Sequence, residues 1–80
     1  MRAAARTDDP DLLARITGTL AVGRAHRGSL DEAERMCAEA LDTADLSAAT
    51  TALLAGQMGT IMELAGRLDD ARRWLGRAID

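Results

Sequence analysis

The chain contains no phenylalanine, tyrosine, lysine or asparagine, and it has one tryptophan, one cysteine and one proline in 80 residues. One cysteine cannot form an internal disulfide, and no Cys/His cluster with zinc-ligand spacing is present. The net charge is −3, whereas a general nucleic-acid binder needs a basic face. No apolar run approaches the roughly 18 residues that a membrane span requires. These absences predict a cytoplasmic protein that binds neither nucleic acid nor a membrane directly.

Alanine and leucine dominate what is present: there are seventeen Ala and eleven Leu, and apolar residues make up 48% of the chain. Alanine is the strongest helix former, and β-branched residues, which favour strands, are few. We therefore expect an all-α fold in one small domain, because 80 residues are too few for two independent cores. Arginine in place of lysine throughout, with abundant Ala and Asp, is typical of a bacterial genome rich in G and C.

The first predicted helix follows a flexible tail over residues 1–9. Asp9 can cap the free N–H groups at the helix start, and Pro10 suits the first helical position because its missing donor is not needed there. Gly28 ends this helix. Residues 10–80 are therefore expected to form the single folded domain.

Three further helices are predicted after Gly28. Ser29 and Glu32 have the spacing of a capping box, in which each side chain satisfies a backbone donor of the other. Asp45 is the expected cap of a third helix over about 46–65, and Gly66 separates it from a fourth. Apolar residues recur at helical spacing in all four: Leu12, Leu13, Ile16 and Leu20; Leu30, Ala33, Cys37, Ala40 and Leu41; Leu54, Met58, Ile61, Met62 and Ala65; Leu68, Ala71, Trp74, Leu75 and Ile79.

The sequence repeats itself at an offset of 38 residues. Residues 28–41 (GSLDEAERMCAEAL) match residues 66–79 (GRLDDARRWLGRAI) at six of fourteen positions. Two unrelated amphipathic helices seldom share both the preceding glycine and the following Leu-Asp-acid-Ala. We therefore predict two copies of one helical hairpin.

At these residues the sequence resembles the tetratricopeptide repeat (TPR) family, whose helical hairpins stack into a solenoid. The resemblance is carried by Leu20, Ala21, Gly28, Leu30, Ala33 and Ala40 in the first unit, and by Met58, Gly59, Gly66, Leu68, Ala71 and Ala78 in the second. It implies two stacked antiparallel hairpins, a fragment of a right-handed superhelix, with repeats over about 11–44 and 46–80. The 38-residue period resembles the stretched repeats of bacterial regulators and signalling ATPases.

The sequence also departs from the family pattern. The aromatic residues that the family prefers are replaced by Arg24, Cys37, Met62 and Leu75, and the proline that often closes a unit is absent near Asp45. A plain four-helix bundle therefore remains an alternative fold.

By resemblance, the expected function is protein–protein interaction, regulatory or scaffolding, with a peptide or helix bound on the face formed by the first helix of each unit. The implied groove residues are Arg15, Thr19, Val22, His26, Leu53, Gln57, Thr60 and Glu63. Because the chain has neither Lys nor Asn, the carboxylate clamp of well-known TPR proteins is not expected.

A second interface is predicted at the end of the stack, where Leu68, Trp74, Leu75 and Ile79 are expected to pack against another chain or against further repeats. Two repeats bury little apolar area, so self-association or a permanent partner is expected. The alternative function is a dimerising four-helix subunit, or a fragment of a transcription or signalling regulator, without a peptide groove.

Catalysis is not predicted. The sequence contains neither GxGxxG nor GxxxxGK[ST] for phosphate binding. Cys37 lies on an expected buried face, and His26 lies near a helix end, so the pair is not expected to form a nucleophile and base. Acidic pairs such as Asp31-Glu32 open predicted helices, where negative charge is favoured. We therefore expect no cofactor and no metal.

Overall fold

The computed structural model describes residues 9–79, which form four α-helices and no strand. The helices are α1 (Pro10–His26), α2 (Leu30–Leu41), α3 (Ala48–Leu64) and α4 (Leu68–Ile79). The predicted all-α fold of four helices is therefore confirmed. The predicted flexible tail lies outside the described residues, except for Asp9.

The helix bounds repeat with the predicted period. Helices α1 and α3 have 17 residues each and α2 and α4 have 12, and every bound in the second hairpin lies 38 positions after its counterpart. Both hairpin turns use a glycine with positive φ, +94° at Gly28 and +78° at Gly66. In both turns the N–H that follows this glycine donates back to a carbonyl of the preceding helix, at 3.0 Å in the first and 2.9 Å in the second. The internal repeat is thus a structural repeat.

The start of α1 is the one that the sequence predicts. The Asp9 carboxylate accepts hydrogen bonds from the N–H groups of Asp11 and Leu12 at 3.0 and 3.3 Å, and Pro10 is the first helical residue. The sequence alone predicts this helix start correctly, because an N-cap depends only on residues that are adjacent in the chain.

Two other predicted caps are wrong. The Ser29 side chain makes no cap hydrogen bond: its backbone has a ψ of 65° instead of an extended value, and Glu32 pairs with Arg24 at 3.4 Å instead of reaching back. Asp45 lies outside α3 with a φ of +66°, and the cap is Ser47, whose hydroxyl accepts from the N–H of Thr50 at 3.1 Å. Helix α3 therefore starts at Ala48, two residues later than predicted.

Helix α3 is the centre of the packing. It contacts α1, α2 and α4, while α1 and α2 also contact each other; within residues 9–79, the backbone of α4 comes close to neither α1 nor α2. The side chains at the centre are Leu54, Ile61 and Met62, all with almost no exposed surface. Ala33 and Ala71 are also buried, as expected of the small residues that let paired helices approach.

The packing of α1 differs from what its apolar pattern suggests. Its buried residues are all small: Ala14, Gly18, Ala21 and Ala25. The larger apolar residues Leu12, Leu13, Ile16 and Leu20 are 43–53% exposed. The small residues are buried because α2 and α3 approach the α1 backbone closely, which leaves no space on that side for leucine.

None of the four helices combines the length and the apolar character that a membrane crossing would require.

Candidate interaction surfaces

The eight predicted groove residues lie on the two central helices that contact each other, α1 and α3. Arg15, Thr19, His26, Leu53 and Glu63 are exposed, and Val22, Gln57 and Thr60 are half-buried. We call this set the α1–α3 face. Its half-buried residues are one apolar and two uncharged polar side chains, and its charged side chains are exposed. This is an arrangement that suits an amphipathic partner.

Part of the α1–α3 face is a depression of about 300 Å³, lined by Arg15, Ala49, Thr50 and Leu53. The structure therefore brings together two of the predicted residues, one cationic and one apolar, from different helices. Thr19 lies instead in a separate depression of about 210 Å³ with Leu20, Gly23, Arg24 and Arg27. The predicted groove is thus not one continuous cavity.

The hydroxyl groups of the face are bonded within their own helices. The Thr19 hydroxyl donates to the carbonyl of Arg15 at 3.0 Å, and the Thr60 hydroxyl donates to the carbonyl of Gly56 at 3.2 Å. Their donor capacity is used, so the main polar groups left for a partner are the side chains of Arg15 and Glu63 and the imidazole of His26.

Gln57 occupies the contact between α1 and α3. Its Oε1 atom is buried against Gly18, and among residues 9–79 it is the buried side-chain polar atom without a hydrogen-bond partner. An unpaired amide oxygen at this position costs folding free energy, because it loses a hydrogen bond to water.

Leu64 belongs to this face and was missed from the sequence. It is 42% exposed and lies three helical turns after Leu53, so both side chains project from one side of α3. The signal was available, because Leu64 is the 38-residue counterpart of the predicted groove residue His26. Two exposed leucines make α3 the more apolar half of the face.

The predicted end-face residues behave differently from one another. Leu68, Leu75 and Ile79 are exposed on α4, with Ile79 at 85%. We call these three residues the α4 strip. Trp74 is half-buried against the core instead, and the Arg77 guanidinium lies 4.4 Å from the centre of its ring. Trp74 is therefore covered in part by its own chain.

A depression of about 520 Å³ separates the end of α2 from α4. It is lined by Ala38, Glu39, Leu41, Asp42, Trp74 and Arg77. The sequence does not predict this depression, because it depends on the divergence of two helices whose backbones are not close to each other. Its acidic and basic groups oppose each other across an open mouth.

A further apolar surface lies on α1. Leu12, Ile16 and Leu20 are 46, 49 and 53% exposed and follow one another at four-residue spacing, so they form one row along the helix. We call this row the α1 strip. Isolated exposed leucines are common on protein surfaces, but a contiguous row is typical of a contact surface.

The structure does not bring Cys37 and His26, the two residues considered as a nucleophile and a base, into a catalytic arrangement. Cys37 is fully buried, its Sγ donates to the carbonyl of Leu54 at 3.5 Å, and burial raises the pKa of its thiol to about 11. A thiol with a raised pKa is a poor nucleophile at neutral pH. His26 is exposed at the end of α1. Over the described part of the chain, no three His, Cys, Asp or Glu side chains are grouped to hold a metal ion.

The resemblance to the TPR family is carried by the internal repeat and by the small residues between helices. In comparisons with known proteins, no family model, curated protein or solved structure matches this chain. The TPR resemblance therefore stays a prediction from the sequence, and the function of the surfaces described above is a matter for proposal.

Proposed function

We propose that the protein is a protein–protein interaction module that binds an amphipathic peptide or helix of a partner on the α1–α3 face. The observation that carries this proposal is the exposure of Leu53, at 43%, beside Arg15 in one depression. An exposed apolar side chain next to a cation offers a partner apolar contact area and favours an acidic residue in that partner.

The helix arrangement supports the same proposal. Each first helix of a hairpin packs on its own second helix, and α3 packs on both helices of the preceding hairpin. We propose that this is a TPR-like stack with the handedness of that family, in which α1 and α3 line one side. On this proposal the partner contacts both hairpins at once.

The chemistry of the face defines the partner. Leu53 and Leu64 offer apolar contact from α3, and Arg15 offers positive charge from α1. A matching peptide has two apolar positions separated by about three helical turns, as Leu53 and Leu64 are, and an acidic residue next to the one that contacts Leu53. Nothing in this set clamps a terminal carboxylate, so an internal segment of the partner is the expected ligand.

The experiment is a selection of helical peptides from a randomised library on the immobilised intact chain, followed by affinity measurement with Leu53→Glu. We expect the selected peptides to be acidic and amphipathic, and their affinity to fall at least about tenfold because a carboxylate would replace an apolar contact and repel the acid. Leu13→Glu is the matched control, since Leu13 is equally exposed at 43% but lies between α1 and α2.

The alternative, a dimerising subunit without a peptide groove, makes the opposite prediction. On that alternative Leu53→Glu leaves every binding property unchanged, and library selection yields no sequence that the α1–α3 face distinguishes. Peptides that bind wild type and Leu53→Glu equally would therefore reject the proposed function.

A further inference from the structure

The α1 strip has counterparts in the second hairpin that are fully packed. Adding the 38-residue period to Leu12, Ile16 and Leu20 gives Thr50, Leu54 and Met58. Those three residues of α3 are 5, 0 and 2% exposed, whereas the three on α1 are about half exposed. The same face of the repeating unit is therefore covered in its second copy and open in its first.

The surface that covers this face of α3 is the hairpin formed by α1 and α2. Leu54 lies against Gly18 of α1, and its carbonyl accepts a hydrogen bond from Cys37 of α2. The 38-residue counterparts of these two partners are Gly56 of α3 and Leu75 of α4. Both counterparts have accessible surface, which for Leu75 is 36%.

Within the chain, one hairpin packs on the other through two different surfaces. A second copy of each surface is exposed: the α1 strip on the first hairpin, and Gly56 with Leu75 on the second. We propose that two molecules of this protein associate head to tail: the α1 strip of one molecule packs on the α3–α4 hairpin of the next, against Gly56 and the α4 strip. In this contact, α1 of one molecule lies on α3 and α4 of the next in the same position in which α3 lies on α1 and α2 within one chain. The new contact therefore continues the internal hairpin–hairpin interface across two chains.

The charges at the helix ends suit this arrangement. Across the internal interface α3 has no acidic residue in its first turn and no basic residue in its last. In contrast, α1 follows Asp9 and has Arg24 in its last turn and Arg27 as its C-cap, while α4 has Asp69 in its first turn and Arg77 in its last. Helices α4 and α1 of neighbouring molecules would run antiparallel, as the consecutive helices of the chain do, so opposite charges meet at both ends of the contact.

The two surfaces of this contact are different, so the contact is heterologous and each molecule retains one open face after a pair has formed. Association is therefore expected to continue beyond the dimer as concentration rises. Because Arg15 and Leu53 meet across the internal interface and are related by the 38-residue period, Leu53 of one molecule would lie beside Arg15 of the next at the edge of this contact. The proposal does not require peptide binding.

The experiment is sedimentation velocity over a concentration series on the intact chain and on two variants, Ile16→Glu and Ile79→Glu. Both residues are exposed, and circular dichroism verifies that each variant keeps its helices. We expect the intact chain to form species larger than a dimer. Each variant alone should associate at least about tenfold more weakly, because a carboxylate is buried without a partner.

An equal mixture of the two variants is the decisive sample. Ile16→Glu retains an intact α4 strip and Ile79→Glu retains an intact α1 strip, so the mixture should form a dimer and nothing larger. Leu13→Glu serves as the control and should associate as the unmodified chain does, because Leu13 lies on the side of α1 that faces α2.

Three results would overturn the proposal. They are an intact chain that stays monomeric at millimolar concentration, an Ile79→Glu variant that dimerises alone, and a mixture of folded variants that does not associate. The second result would indicate a symmetric contact between α1 strips. Loss of peptide binding in Leu53→Glu with association retained would reject neither proposal, which separates this test from that of the α1–α3 face.

Discussion

Gly18 and Leu54 are packed so closely that a Cβ atom on Gly18 would lie 2.6 Å from Cδ2 of Leu54. The two residues belong to different hairpins, and the missing side chain of one allows the other to be fully buried. This contact fixes the distance between α1 and α3, and with it the shape of the α1–α3 face.

Gly18→Ala is expected to destabilise the protein in spite of the better helix propensity of alanine. Propensity alone favours alanine by about 1 kcal/mol, but the new methyl group overlaps buried Leu54 and the Gln57 side chain, and overpacking costs about 1–3 kcal/mol. Gly23→Ala is the matched control on the same helix, because its Cβ would meet nothing within 4 Å. Urea unfolding should show a lower free energy of unfolding for Gly18→Ala and a higher one for Gly23→Ala. Equal stabilisation by both would contradict the close approach.

Gly28→Ala should weaken the first hairpin through backbone strain. At φ +94° an L-residue is disfavoured by about 1–2 kcal/mol, although the space around the position is open. Gly76→Ala, at an equally open position inside α4, lacks that strain and should stabilise the protein by up to about 1 kcal/mol. Thermal unfolding of the two variants should shift in opposite directions; a Gly28→Ala protein as stable as wild type would show that the turn has another conformation.

The adjacent pair Leu53 and Leu54 tests the assignment of the faces of α3. Leu54→Ala removes a side chain with no exposed surface and should cost about 2–5 kcal/mol, enough to unfold much of a protein of this size. Leu53→Ala removes an exposed side chain and should change the free energy of unfolding by less than about 0.5 kcal/mol. Similar losses from the two variants would mean that α3 is rotated about its axis.

Features governed by neighbouring residues could be predicted from the sequence. The Asp9 cap and the glycine turns at Gly28 and Gly66 depend on a few consecutive residues, and each appears where the pattern indicates. The predicted cap at Asp45 failed because Ser47, two residues later, both caps α3 and donates its N–H to the Asp11 carboxylate at 2.9 Å. That second bond joins the loop to α1, and it is visible only in three dimensions.

Which face of α1 is buried could not be predicted from the sequence. The four-residue spacing of Leu12, Ile16 and Leu20 correctly identifies one side of a helix, but periodicity does not state what covers that side. The helix packs through its small residues because Gly18 admits Leu54, a contact between residues 36 positions apart. Likewise the meeting of Arg15 and Leu53 follows from the packing of two helices and not from the spacing within either.

We expect the protein to lose stability at alkaline pH because the thiol of Cys37 is buried. Burial raises the pKa of its thiol to about 11 in the folded protein, against an ordinary value of 9.0. Below pH 9 the thiol is protonated in both states and stability is unaffected. Between pH 9 and 11 the unfolded chain releases this proton while the folded chain holds it, so the free energy of unfolding falls by about 1.4 kcal/mol per pH unit, or about 2–3 kcal/mol in all.

The composition of the chain allows this effect of Cys37 to be measured without interference from other side chains. Lysine and tyrosine, the other side chains that titrate in this range, are absent from the sequence, and arginine titrates above it. Urea unfolding at pH 8 and pH 11 should show the decrease for wild type, whereas Cys37→Ala, less stable at pH 8 because of its cavity, should lose little more on going to pH 11. Parallel pH dependence in the two proteins would show that the Cys37 thiol is accessible to water, and with it that α2 does not pack on α3 as described.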